Sequence, residues 1–330
     1  MLNFCTLFDS AYLSRGIAMY ESLRRQCPAF HLYIFAFDDN CYDFFHKHSF
    51  ENITAISLKE FEDEKLLLAK KNRSSGEYCW TCTPSTILYV LNHYGVESCT
   101  YIDADLLFFS SPQTLIDEAK EDSVIITEHR YTKKYDQTEP SGKYCVQFVF
   151  FRNNKCAREV LEWWRQACLD WCYCRVEDGK FGDQKYLDDW CTRFKGIHEL
   201  QHLGGGVAPW NMQQYTFIKK KGKLYGIENN THKEFEVIFF HYHGIKFLSP
   251  ILFSFSPDYE KNSKSIYHYL FAPYISAISR ARKIYPNIAN KERYIGKTKK
   301  AKYPTIEKLY CIWNYIKVEM HFLLTQSKND

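Results

Sequence analysis

Between Thr100 and Phe109 the chain reads Thr-Tyr-Ile-Asp-Ala-Asp-Leu-Leu-Phe-Phe, an apolar run interrupted by two carboxylates one residue apart. Tyr101, Ile102, Leu106, Leu107 and Phe108 are too apolar for a surface loop and suit a strand buried on both faces, as in a layered α/β protein. Strand side chains alternate, so Asp103 and Asp105 can meet one ion, either from one face or around the turn where the strand stops. Two carboxylates there are costly to desolvate without a cation, and hard oxygen ligands favour Mg²⁺ or Mn²⁺ with phosphate oxygens and water. A solvated turn at the strand's end is the other reading of the same triplet.

The chain before it alternates elements. Asn3 to Phe8 read as a strand. Ala11 to Arg25 follow as an amphipathic helix with Leu13, Ile17, Tyr20 and Leu23 on one stripe. His31 to Phe37 and Ile53 to Leu58 are further strands, and strand, helix, strand from the first residue argues a doubly wound sheet with ligands beyond its C-terminal edge. Thr83-Pro84 predicts a helix start, Thr as cap and Pro at the first position, running to a Gly95 stop. Ser123 to Thr127 and Tyr144 to Phe151 read as strands and Asn154 to Cys168 as a helix. The last sheet-like run, Glu236 to Phe240, leads into His241-Tyr242-His243-Gly244-Ile245-Lys246, two histidines and a lysine placed for metal and phosphate contact.

Composition sets limits on what surrounds this frame. Of 330 residues 45% are hydrophobic and 25% charged, ordinary for a soluble chain with one large domain. No basic and apolar leader precedes the first strand, and no run approaches transmembrane length, so a cytoplasmic protein is expected. Thirteen cysteines then read as reduced thiols packed as small hydrophobes. The net charge of +4 is uneven, because residues 273–330 hold 12 Lys and Arg against 4 acids. An acidic body, 1–255, with a basic helical C-terminal segment, 256–330, is the expected organisation.

Taken together, the motifs resemble the GT-A glycosyltransferases, above all the retaining family 8 type and related nucleotide-diphospho-sugar transferases of bacterial surface glycans. The likeness covers about residues 1–250. It rests on Phe8-Asp9-Ser10-Ala11-Tyr12, Tyr101-Ile102-Asp103-Ala104-Asp105, Gly182-Asp183-Gln184 and His241-Tyr242-x-Gly244. The resemblance implies an α/β GT-A fold with a mixed, Rossmann-like sheet. It implies a metal-dependent transfer of a hexosyl unit from a nucleotide-diphosphate sugar, UDP by preference, to a glycan or lipid-linked acceptor.

It also implies roles. Phe8, Asp9, Tyr12, Arg15, Asp103, Gln147 and Lys246 would hold the nucleotide sugar. Asp103, Asp105 and His241 would hold Mn²⁺ or Mg²⁺, with His243 the alternative ligand to His241. Asp183 and Gln184 would face the donor sugar. Apart from the resemblance, Trp210 stands beside Pro209 and after Gly204-Gly205-Gly206, which leave room for its ring to stack on an acceptor sugar, with Asn211 next to it and a core position the alternative. Lys246 stands two residues after Gly244 where the family 8 pattern has three, and Gln147 stands in Val146-Gln147-Phe148 where that pattern has Asn-x-Gly. Retention leaves Gln184 positioning the sugar, since a neutral amide is a poor nucleophile, whereas inversion would make Asp183 the base.

Other readings compete. His198-Glu199-Leu200-Gln201-His202 matches a zinc protease motif that needs a helix. Cys79 and Cys82 offer one half of a zinc site. A sugar nucleotidyltransferase would share the fold but lacks its glycine-rich first loop here, and a carbohydrate-binding protein would not need the metal constellation. Arg280, Arg282 and Lys283, then Lys297, Lys299, Lys300 and Lys302, then Leu309 to Trp313, suggest attachment to an anionic membrane surface, a solvated helix face being the alternative. No recognised nucleic-acid module accompanies the charge.

Overall fold

The structure is a computed structural model and describes residues 1–261, 263–294, 309, 311–313 and 316. The alternation from the N-terminus is present. β1 (Leu2–Phe8) passes through a 3-10 turn into α1 (Leu13–Gln26), followed by β2 (Phe30–Ala36), α2 (Asp39–Lys47) and β3 (Ile53–Ser57). The three strands pair in parallel, Leu2 beside Phe30 and Leu32 beside Ile53. On β1, Phe4 and Phe8 enter one core with Leu13 and Ile17, while Cys5 and Leu7 enter the other with Ile87 and Val90. Burial of both faces is why these strands read as unbroken apolar runs.

α3 (Ser75–His93) departs from the sequence expectation. It starts at Ser75, where Ser74 and Glu77 cap each other reciprocally, and Pro84 lies inside it. A capping box satisfies two orphan donors, a stronger start signal than proline's preference for the first turn. Proline leaves the carbonyl one turn back without its usual donor. Around this gap the hydroxyls of Thr81 and Thr83 bond to the Glu77 and Cys79 carbonyls at 2.8 and 3.4 Å. Thr83 is therefore not a cap.

β4 (Ser98–Ile102) joins the sheet beside β1, and β5 (Leu106–Phe108) leaves it after the Asp103-Ala104-Asp105 turn. With β6 (Val124–Glu128), β7 (Tyr144–Arg152) and β8 (Ile197–Glu199), the strand order is β3-β2-β1-β4-β7-β6-β8. β7 runs antiparallel to β4 and β6, so the sheet is mixed. α4 (Lys155–Asp170), capped by Asn154, covers the same face as α3.

A second, smaller layer stands on the site's side. It contains β9 (Gly205–Val207), the β10 (Tyr215–Lys220) and β11 (Lys223–Glu228) hairpin, β12 (Glu234–Glu236) and β13 (Phe239–His241). The run expected as one last strand is thus split between two sheets, β12 beside β11 and β13 between β5 and β9. A further hairpin follows, β14 (Lys246–Ser249) with β15 (Leu252–Ser254). A Cβ on Gly204 would lie 1.9 Å from the Glu236 carbonyl oxygen, so the triple glycine serves close backbone packing here.

Residues 263–294, counted by sequence with the basic C-terminal segment, pack onto this layer. Ile266, Leu270, Phe271, Tyr274 and Ile278 share a core with Phe240, Tyr242 and Phe253, and α5 (Ala272–Ile284) lies against α1. Arg282 is buried in an ion pair with Glu292, so it offers no charge to a surface. Lys297, Lys299, Lys300, Lys302 and Tyr310 lie outside the described residues, while Leu309, Ile312 and Trp313 are exposed. No helix among the described residues is long and apolar enough to cross a membrane. No disulfide joins two cysteines among the described residues.

Candidate active site

The two carboxylates sit at the turn and not along the strand. β4 ends at Ile102, paired with Phe148, and the Asp103 amide donates to the Gln147 carbonyl at 3.1 Å. The chain then turns, because the Leu106 amide returns to the Asp103 carbonyl and β5 begins. β5 pairs antiparallel with β13, placing Leu106 opposite His241, and the Tyr242 amide donates to the Asp105 carbonyl at 3.0 Å. This pairing brings a histidine distant in sequence onto the turn. His241 Nε2 lies 3.1 Å from Asp105 Oδ1 and 3.5 Å from Asp103 Oδ2, and one ligand atom of each residue falls within 4.8 Å of the others.

Neighbours fix the orientation of the three. His241 Nδ1 donates to Gln147 Oε1 at 2.8 Å, which turns Nε2 toward the carboxylates, and Tyr101 donates its hydroxyl to Asp103 Oδ1 at 3.1 Å. A hydrogen bond on the far nitrogen is the usual support of a metal-binding imidazole. Gln147 is fully buried, and its Nε2 has no partner. The residue expected at the sugar therefore stands behind the histidine. Two hard carboxylate oxygens and an oriented imidazole nitrogen fit Mn²⁺ or Mg²⁺.

Charges in the cluster are strongly coupled. Burial alone would lower the His241 pKa, but the Asp105 and Asp103 carboxylates hold it well above the ordinary histidine value. Burial acts to raise Asp105, and the His241 interaction outweighs it, leaving that carboxyl below its usual value. Asp103 is pushed up to about 6 by burial, against the pull of His241, with Asp105 adding to the rise. A proton on His241 occupies the place of positive charge among these groups. A cation binding there has to displace it.

Among the residues expected at the nucleotide, Tyr12 and Arg15 come to the site. The Arg15 guanidinium lies 4.3 Å from the Tyr12 ring centre and 3.9 Å from that of Phe247, donates to the Ile245 carbonyl, and bears on Asp105. Tyr12 is 40% exposed, and desolvation of its phenol, then Asp105, push it up to about 12. Asp9 caps the turn after β1 through Ala11 and pairs with Arg293 at 3.1 Å. The Phe8 ring is buried between Gly16 and Phe45, which leaves it no face for a base. Lys246 opens β14 as an exposed residue paired with Ser254 and makes no contact with the acidic pair among the described residues. Asp38, not foreseen, holds the β1 turn by accepting from the amide and hydroxyl of Ser10 at 3.0 and 2.7 Å.

Asp183 is 5% exposed, with Asp103 nearby. Burial, then the Asp103 charge, push its pKa up to about 7. Gln184 is anchored by Nε2 to the Ser141 carbonyl at 2.7 Å. Trp210 and Asn211 are not open to an acceptor. Trp210 is buried, donates to the His129 carbonyl and sets its ring 5.4 Å from that of His241 at 89°. Asn211 spends its amide on His129, Gly206 and Ala208 backbone groups. Both brace the loop behind His241.

The protease motif does not form. His198 lies on β8 and pairs with Glu118 and Asp122, while His202 Nδ1 accepts from the Gly204 amide. Among the described residues only Asp103, Asp105 and His241 group as metal ligands, so Cys79 and Cys82 have no such cluster.

No protein-family model matches the chain. Among solved structures, the apo WbbM bifunctional glycosyltransferase superposes with a TM-score of 0.51 and 10% identity, covering 88% of this chain and 51% of that one. The galactosyltransferase LgtC, in complex with donor and acceptor sugar analogues, gives 0.49 and 12%, covering 82% and 100%. The fold is that of the GT-A glycosyltransferases. In sequence, the uncharacterized protein YfnD of Bacillus subtilis (strain 168) is 30% identical over 285 residues, 84% of this chain and 89% of YfnD. YfnF of the same strain, also uncharacterized, is 28% identical over 254 residues, 74% and 82%. The chain belongs to the family of YfnD.

Proposed function

We propose that the chain is a metal-dependent glycosyltransferase that moves a hexosyl unit from a UDP-sugar to a glycan or lipid-linked acceptor with retention. The observation that carries this reading is the convergence of Asp103, Asp105 and an oriented His241 at the end of a buried strand in a GT-A fold. Asp103, Asp105 and His241 would hold Mn²⁺ or Mg²⁺, which supplies Lewis-acid stabilisation of the charge developing on the leaving diphosphate. Arg15, clamped between two rings, adds a fixed positive charge on the same side. Tyr12 lines the crevice where the nucleotide would lie. Gln184, its amide held by Ser141, positions the donor sugar.

Asp183 is the group that can move a proton. Its raised pKa suits a base working near neutral pH, the one observation that favours an inverting course instead. The anomeric configuration of the product, read by NMR, separates the two courses. A cytoplasmic enzyme bound peripherally to an anionic membrane through residues beyond 294 would meet a lipid-linked acceptor there.

The test is a donor-hydrolysis screen with Mn²⁺ and a panel of UDP-, GDP-, CMP- and dTDP-sugars, with Asp105→Asn alongside. Metal-dependent release of UDP, lost in the variant, is expected. Pyrophosphate release from a nucleoside triphosphate and a sugar phosphate would indicate a nucleotidyltransferase. Sugar binding without turnover or metal dependence would indicate a carbohydrate-binding protein.

A further inference from the structure

A cleft of about 500 Å³ opens where the C-terminal end of α1, β5, the β10/β11 hairpin and residues 268–280 meet. Arg25, Lys219, His268 and Arg280 surround it over an apolar floor that includes Leu107 and Leu224, and no acidic residue lines it. It is separate from the candidate active site. Arg25 and Tyr12 stand at opposite ends of α1, about 20 Å apart at the helical rise.

Neither Arg25 nor Arg280 makes an ion pair or side-chain hydrogen bond with a described residue. Glu21, one turn before Arg25, is engaged by Arg24 at 3.2 Å. Arg25 is exposed to solvent, and partial desolvation within the cleft, then the nearness of Arg280, lower its pKa. Two guanidinium groups converging on one half-buried space repel each other unless an anion lies between them. Guanidinium forks match phosphate geometry, and an apolar floor suits the body that carries the phosphate.

We propose that this cleft binds the phosphate group of an anionic ligand between Arg25 and Arg280, with Lys219 and His268 at its rim. A lipid headgroup and a free phosphate compound share this chemistry. The proposal does not rest on the transferase reading, and no divalent cation takes part.

The test uses the full chain in EDTA, which leaves no divalent cation to hold a phosphate at the active site. Inorganic pyrophosphate is titrated calorimetrically, and flotation compares vesicles of phosphatidic acid in phosphatidylcholine with phosphatidylcholine alone. Binding of either probe, weakened at least about 10-fold in Arg25→Gln/Arg280→Gln and unchanged in Arg193→Gln on another surface, is the expected result. Pyrophosphate binding identifies a free phosphate source, and phosphatidic acid binding without it identifies a headgroup. If the double variant does not fold, Arg280→Gln alone, at an exposed position, gives the same reading. Failure of wild type to bind both probes, or equal binding by the folded variants, overturns the proposal.

Discussion

Replacing Asp183 by Asn should stabilise the protein. The carboxyl is nearly buried, and its pKa moves from 3.8 to about 7 on folding, with burial the first cause and Asp103 the second. An acid whose folded pKa lies above its unfolded value keeps its proton in the folded state after the unfolded chain has lost it. Stability therefore falls as pH rises from about 4 to about 7, and the loss is complete above that window. At about 1.4 kcal/mol per unit, the wild type gives up about 4 kcal/mol by pH 8 and about 0.5 kcal/mol at pH 4. Asn has the same shape and carries no charge. A chain of this length unfolds with an entropy of about 0.7 kcal/mol/K, so Asp183→Asn should raise Tm by about 6 °C at pH 8 and by less than about 1 °C at pH 4. Differential scanning calorimetry in EDTA at both pH values measures this. A lower Tm for the variant at pH 8, or an equal offset at both, would refute the electrostatic argument. Donor turnover by the same variant separates the two courses: it is lost where Asp183 is the base of an inverting transfer and persists where transfer proceeds with retention.

Gln147→Leu removes the acceptor behind His241 at similar volume, and Mn²⁺ affinity measured by titration should fall about 10- to 100-fold. Arg282→Ala leaves Glu292 charged and buried without its partner, and denaturant unfolding should report a loss of about 3 to 5 kcal/mol. Gly16→Ala places a Cβ 2.4 Å from the Phe8 ring, and the overpacking should cost about 1 to 3 kcal/mol by the same assay.

Sequence carried the periodic elements. β1, α1 and β2 follow from strand alternation and a helical stripe, and Asp103 and Asp105 stand out because carboxylates interrupt a doubly buried run. What sequence did not carry depends on pairing between distant strands. That Leu106 lies opposite His241, and that Gln147 supports the histidine and not a sugar, follow from β5/β13 and β4/β7 registers that no local pattern encodes. Trp210 and Asn211 looked like an acceptor platform because glycines and proline surround them. The same glycines in fact admit close backbone packing, and tertiary hydrogen bonds occupy both side chains. Pro84 misled because a propensity for the first turn was outweighed by a capping box one helical segment earlier.

We propose that Asp103, Asp105 and His241 form a metal site for a nucleoside diphosphate. Electron paramagnetic resonance titration of Mn²⁺ into the full chain with UDP present tests it most directly. One bound Mn²⁺ per chain is predicted, with affinity falling as pH drops, because His241 must release its proton, and with binding lost in Asp105→Asn. No bound Mn²⁺, or binding that Asp105→Asn leaves unchanged, would contradict the claim.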